Sequence, residues 1–184
     1  MNMIASSGQL KAGYIRWALL LVPGIILLGM LSGQFAGSGE GNPWFDALEK
    51  PAIYPPPALF GLAWAILYAL MGFALALVIT AVGAPGRGAA IIAFVVQLAL
   101  NLAWSPVFFA QHQITGALMV IVALDLVVLL TLVLFWKVRR VAAILLLPYV
   151  LWLGFATYLN WEFLKANPQL DGKEVSGAIQ RYEF

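Results

Sequence analysis

Cysteine is absent from this chain and histidine occurs once, at His112. Disulfides and thiolate nucleophiles are excluded, and no soft metal site can be assembled. A serine–histidine–acid triad would have to recruit His112, which stands in a short turn, Gln111-His112-Gln113. Charge is equally scarce. Charged residues make up 10% of the chain, where a soluble domain has about 25%. The net charge of +2 is scattered, with no basic block suited to nucleic acid and no glycine-rich phosphate loop. The few carboxylates show no metal-ligand spacing.

What is present is hydrocarbon. Of the 184 residues, 63% are hydrophobic, above the about 45–50% of ordinary domains, and the apolar runs are long. A helix needs roughly 20 apolar residues to cross a bilayer. Five runs qualify: Tyr14 to Gly33, Ala58 to Thr80, Ala89 to Phe109, Ile114 to Trp136 and Val141 to Leu164. The sequence therefore predicts an all-α integral membrane protein, a bundle of five transmembrane helices forming one domain over 14–164. Residues 1–13 read as a polar start and 165–184 as a soluble tail. Lys11 and Arg16 imitate the charged region of a secretory signal, but the run behind them is long enough to remain as a span. Lys11, Arg16, Arg87, Lys137, Arg139 and Arg140 fall on one side of such a bundle. The positive-inside rule puts that side, with the N-terminus, inside, and the first loop and the tail opposite. Inner and outer bacterial membranes are not distinguished.

The connection 34–57 differs from the others. Gly37, Gly39, Gly41, Pro43, Pro51 and Pro55-Pro56-Pro57 punctuate it, with Trp44, Phe45 and Tyr54 between them. It is too polar to span and too aromatic for a plain linker, so it reads as a lid or binding loop.

The organising stretch is QLALNLAWSPVFF, Gln97 to Phe109. Gln97, Asn101, Trp104 and Phe108 share one helix face, and Pro106 breaks or bends the helix near its end. Amides in hydrocarbon turn inward, so this face predicts one wall of an intramembrane cavity. Trp64 and Tyr68 form a similar stripe on the second span. The fifth span, PYVLWLGFATYLNWEF, aligns Tyr149, Trp152, Ala156, Asn160 and Phe163. Asn101 and Asn160 are suited to bond across the bundle, to meet the polar edge of a ligand, or to do both. Aromatic walls carrying a few polar groups suit a flat, largely apolar molecule.

Other residues read more plainly. Trp17, Trp136 and Trp161 sit near span ends and fit an interfacial belt. Asp125 is the only acid deep in a span and needs a donor or an interface. Glu162 reaches the headgroup region, and His112 reads as a solvated turn residue. Gly61, Ala65 and Ala69 on the second span predict a close helix contact. Ala89 and Ala93, then Ala99 and Ala103, permit a homodimer through the third helix, or contacts within one protomer.

The segments WFDALEKPAIYPP (Trp44–Pro56), WAILYALMG (Trp64–Gly72), QLALNLAWSPVFF and PYVLWLGFATYLNW (Pro148–Trp161) resemble the tryptophan-rich sensory protein and translocator protein family, also called the peripheral benzodiazepine receptor family. The resemblance implies a five-helix bundle, usually dimeric, with a pocket beneath the first loop for porphyrins, haem-related tetrapyrroles and flat aromatic drugs. No cofactor is required; the tetrapyrrole is the ligand. On that pattern Trp44 belongs to the lid, Tyr54 to its junction with the second span, and Trp64 and Tyr68 to one wall. Asn101, Trp104 and Phe108 fill the wall of the third span. Tyr149, Trp152, Phe155 and Ala156 supply that of the fifth, Ala156 being the small position beside the pocket.

The chain also departs from the family pattern. Ala58 stands where the family often has a tryptophan after its prolines, and Ile53 where it often has an aromatic. Trp161 occupies the tyrosine position of the animal sterol-recognition pattern, so sterol binding is expected to be poor. A membrane sensor or binding protein for tetrapyrroles is the leading expectation. The alternatives are a transporter of tetrapyrroles or other hydrophobic ligands, against which the absence of an internal repeat counts, and a light-dependent porphyrin-degrading enzyme. In that enzyme Trp44 or Trp152 would be the residue oxidised by the excited porphyrin, without a metal or acid–base site.

Overall fold

The computed structural model describes residues 7–173. Those residues form α1 (Ser7–Phe35), α2 (Pro43–Ala47), α3 (Pro57–Ile79), α4 (Arg87–Ser105), a π-helical turn (Pro106–Ala110), α5 (Ile114–Val138) and α6 (Arg140–Ala166). Five helices, with α4 and the π turn counted as one, are long and apolar enough to cross a membrane. The protein is a multi-pass integral membrane bundle, and each expected span matches one of these helices.

The boundaries shift for local reasons. The first helix starts at Ser7 rather than Tyr14, since nothing in the polar lead breaks a helix until the apolar run takes over. Most of the expected tail is either the end of α6 or lies outside the described residues; Asn167–Lys173 is ordered against the bundle. Pro57 opens α3 at its first turn, where a missing N–H is harmless. Between α5 and α6 only Arg139 is extended, with φ −151° and ψ 105°, so a single residue joins the two helices and Lys137 and Arg140 are helical.

Pro106 widens its helix instead of ending it. Proline cannot donate to the carbonyl four residues back, which here belongs to Leu102; Ser32 Oγ of α1 donates to that oxygen at 2.6 Å. The chain continues as a π turn closed by Gln111 N to Pro106 O at 2.9 Å. A helix defect is thereby turned into an α1–α4 tie.

Around the bundle α1 lies against α3 and α4, α3 against α6, α6 against α5, and α5 against α4. The ring order α1–α3–α6–α5–α4 gathers the basic helix ends on one side and the α1–α3 loop on the other. The helix backbones of α1 and α3 close on each other at Gly72, where a Cβ would stand 2.7 Å from Val22 Cα. Gly29 receives the Tyr68 ring in the same groove. These glycines, not Gly61 and Ala65, make the close α3 contact. Gly61 and Ala65 are exposed, because α1 packs on a face of α3 that the small-residue stripe does not share.

The outer surface is hydrocarbon, as lipid contact requires: Leu19, Met119, Leu126 and Leu151 are 71%, 66%, 66% and 76% exposed. Trp17, Trp136 and Trp161 are also exposed, and Arg140 and Lys165 lie over the rings of Trp136 and Trp161. Glu162 pairs with Lys165 at 3.0 Å. Asp125 faces the α5–α6 groove and accepts from Thr157 Oγ1 at 2.7 Å, which supplies the donor it needed. Ala93 is buried inside the bundle, whereas Ala89 and Ala99 are exposed. The alanine spacing on α4 is therefore split between an inner and an outer face.

Candidate functional site

The α1–α3 loop is a built structure. Gly37, Gly39 and Gly41 adopt φ of 64°, 98° and 90°, a region open to glycine at no steric cost. Asn42 caps α2 through Oδ1, accepting from Phe45 N at 3.0 Å. Its amide nitrogen donates to Gly37 O and to Phe109 O on the π turn. Lys50 Nζ donates to Leu48 O at 2.9 Å and also to Phe45 O. Desolvation holds that ammonium below its ordinary pKa, against the opposing pull of Asp46. Thus fixed, the loop drives Trp44, Phe45 and Leu48 into a cluster with Phe108, Phe109, Leu159 and Phe163.

Trp44 is the root of the lid. It is 1% exposed, stacks on His112 with ring centroids 4.8 Å apart, meets Phe108 edge-on and donates Nε1–H to Leu170 O at 3.1 Å. His112 is accordingly no plain solvated turn residue: it holds φ 56° and lies half-buried under Trp44.

Below the lid runs an aromatic wall. Tyr54 stacks on Phe60 at 5.7 Å, Phe60 meets Trp152 at 5.6 Å, and Trp152 meets Phe155 at 5.5 Å. Deeper, Trp64 packs on Tyr68 at 5.3 Å and on Tyr149 at 6.3 Å. Trp104 stacks on Phe108 at 5.0 Å, joining this wall to the lid cluster. Tyr54, Phe60, Trp64, Tyr68, Trp104, Trp152, Phe155 and Ala156 are all half-buried. These side chains are thus neither fully exposed nor sealed in the core.

The polar side chains beneath the wall tie helices together. Tyr68 OH donates to Asn101 Oδ1 at 2.8 Å, Asn101 Nδ2 to Tyr149 OH at 3.0 Å, and Tyr149 OH to Gln97 Oε1 at 2.9 Å. This chain joins α3, α4 and α6. Asn160 accepts from Trp104 Nε1 at 3.0 Å and donates to Ile114 O at 3.1 Å, joining α6 to α4 and α5. Both asparagines therefore bond across the bundle, the first of the readings above. Among the described residues two buried donors have no partner: Gln97 Nε2, at the end of this hydrogen-bond series, and Trp152 Nε1 in the wall.

The site residues expected from the sequence thus fall into three groups. Tyr54, Trp152, Phe155 and Ala156 belong to the wall under the lid. Trp64, Tyr68, Asn101 and Tyr149 make its deeper end, and Trp44, Trp104 and Phe108 run from the lid root toward it. No ring contact joins Trp44 to Trp152. Phe60, which bridges Tyr54 to Trp152, was missed, although it stands one helical step of four before Trp64 on the stripe that includes Tyr68. Phe163 was placed on the α6 face but not in the lid cluster, because contact with Phe45 at 5.9 Å is a tertiary event. A separate cleft of about 270 Å³, lined by hydrocarbon such as Leu21, Ile25, Leu75 and Phe94, lies between α1, α3 and α4. It offers a ligand no polar group and stands apart from the wall.

Comparison with known proteins agrees with this architecture. The model of the TspO/MBR family matches residues 19–165. The chain is 39% identical over 126 residues to protein CrtK of Rhodobacter capsulatus, covering 68% of this chain and 79% of that one. It is 36% identical over 151 residues to the tryptophan-rich protein TspO of Chlorobaculum tepidum, covering 82% and 96%. Against the human translocator protein it is 38% identical over 135 residues, covering 70% and 80%.

Proposed function

The chain belongs to the TspO/MBR family, and from that premise we propose that it is a membrane binding protein for porphyrins and related tetrapyrroles. The ligand would lie against the α3–α6 aromatic wall under the α1–α3 loop. One observation carries this reading. The Tyr54–Phe60–Trp152–Phe155 ring series is continuous and half-buried, and it contains an indole N–H with no partner. A flat apolar ligand that parts these rings and slides between them would cover their faces, and an acceptor at its edge would then satisfy that buried donor. Asn101 and Tyr149 then act chiefly by holding the wall's helices in register, and Ala156 leaves room beside Trp152.

The test is a protoporphyrin titration in lipid nanodiscs, in the dark, followed by tryptophan quenching. Saturable binding, weakened at least tenfold by Trp152→Ala, is expected. Saturable binding unchanged in that variant would move the site elsewhere, and no saturable binding would end the tetrapyrrole reading. Illumination of the loaded discs separates binding from turnover, because protein-dependent bleaching to a distinct product would support the photochemical alternative.

The homodimer that the resemblance implies would use the outer face of α4, where Ala89, Ile92, Val95 and Ala99 are exposed. A cysteine at Ala99, not at buried Ala93, is the informative crosslinking position; persistent monomer in native lipid would refute it. With the basic helix ends inside, the lid would face the opposite side of the membrane.

A further inference from the structure

The stretch after α6 lies beyond the residues that match the family, yet it bonds to the lid, to the turn at His112 and to the first turn of α5. Asn167 is 1% exposed, and its side chain pairs with a lid backbone as another strand of backbone would. Oδ1 accepts from Glu49 N at 2.7 Å and Nδ2 donates to Glu49 O at 3.0 Å. The same amide nitrogen donates to Phe163 O at 3.0 Å, anchoring the pairing to α6. Three residues on, Leu170 O accepts the Trp44 indole N–H.

The far end of the stretch is fastened elsewhere. Gly172 N donates to His112 O at 2.8 Å. Asp171 Oδ1 accepts from Ile114 N at 2.6 Å and Thr115 N at 3.2 Å, and its Oδ2 accepts from Thr115 Oγ1 at 2.5 Å. Gln113, at the N-cap position of α5, makes no side-chain cap bond, so Asp171 supplies the carboxylate that the first turn of α5 lacks. One short segment thus bonds at one end to the lid and at the other to a helix that the lid does not own.

We propose that Asn167–Lys173 is a strap that holds the α1–α3 loop closed over the aromatic wall, so that ligand exchange requires the strap to release. Asn167 and Asp171 are its positioning residues, and the gating of ligand rests on the binding reading above. The strap is suited to release. It is short, Pro168, Gln169 and Gly172 are exposed, and its grip consists of a few hydrogen bonds, each contributing a few-fold to a closing equilibrium. Among the described residues, the lid's other hydrogen bond beyond its own flanking helices α1 and α3 is the 3.3 Å contact from Asn42 Nδ2 to Phe109 O.

Amide hydrogen exchange over residues 44–54, in nanodiscs without ligand, tests the strap directly. Asn167→Ala and Asp171→Ala are each expected to speed lid exchange about tenfold, with α3 and α4 unchanged. The Asp171 side chain bonds to Ile114 and Thr115 rather than to the lid, so an Asp171→Ala variant with wild-type lid exchange would overturn the proposal. Because the chain has no cysteine, the pair Thr115→Cys/Asp171→Cys provides a folded control within one sample. Oxidation should restore slow lid exchange that reduction abolishes, and indifference to reduction would also overturn it. Protoporphyrin release should quicken about tenfold in Asn167→Ala, and equal release rates from closed and loosened lids would refute the gating. Failure of porphyrin to bind would overturn the ligand reading alone, since the exchange measurements need no ligand.

Discussion

Tyr149→Phe is the sharpest probe of how this bundle is held. The substitution removes one oxygen and almost no volume, yet that hydroxyl accepts from Asn101 and donates to Gln97. Gln97 is 1% and Asn101 6% exposed, so neither orphaned group gains a water in exchange. Interhelical hydrogen bonds in membranes contribute about 0.6 kcal/mol on average and up to about 1.7. Two such bonds put the expected loss at about 1–3 kcal/mol. Gln97→Leu should cost less. It deletes a buried donor that already has no partner but also takes the acceptor from the Tyr149 hydroxyl hydrogen, while Tyr149 keeps its bond from Asn101, so a gain and a loss of similar size offset. The expected change lies within about 0.5 kcal/mol of wild type, or toward greater stability. Reversible unfolding in mixed micelles with rising dodecyl sulfate, followed by circular dichroism, reads both variants and their combination. In the double variant the loss should fall short of that in Tyr149→Phe, since no Gln97 oxygen is left unpaired. A Tyr149→Phe loss below about 0.5 kcal/mol, or a Gln97→Leu loss exceeding it, would refute the reasoning.

Three further outcomes are expected. Gly72→Ala places a methyl against the Val22 backbone, and should destabilise the same unfolding transition by about 1–3 kcal/mol by forcing α1 from α3; Gly61→Ala, on the open face of α3, should not. Trp104→Phe and Asn160→Leu should be non-additive by about 0.5 kcal/mol or more, because each removes the same bond; strict additivity would show that the bond contributes nothing. Burial, and secondarily the Glu40 carboxylate, raise the Tyr54 phenol above its ordinary value of 10.0. The folded lid therefore keeps that proton where an unfolded lid has lost it. Tyr54's contribution is complete below pH 10.0 and fades as pH climbs through the raised value. The difference in absorbance titration near about 295 nm between wild type and Tyr54→Phe should show a midpoint above 10.0, and a midpoint at or below it would contradict the burial.

Much of the architecture was legible because a bilayer leaves few options. Backbone polar groups in hydrocarbon must bond within their own segment, so apolar runs of sufficient length dictated five helices and their approximate ends. Periodicity also placed Asn101 beside Trp104 and Trp152 beside Ala156, since faces are local properties of one helix. The proline-rich, aromatic composition of the first loop marked it as built. Relations between helices were decided only in three dimensions. The ring order α1–α3–α6–α5–α4 depends on which faces fit, and it sent Gly72 rather than Gly61 into the tight α1–α3 contact. It turned Ala93 inward and Ala99 outward on one helix, a distinction that spacing by fours cannot make. The same packing consumed the amides of Asn101 and Asn160 in cross-bundle bonds while leaving the Trp152 indole N–H unpaired. Asn167 and Asp171 carried no signal along the chain, because their partners, Glu49, Ile114 and Thr115, lie far away in sequence. A hydrogen bond between distant segments exists only once the fold has brought them together.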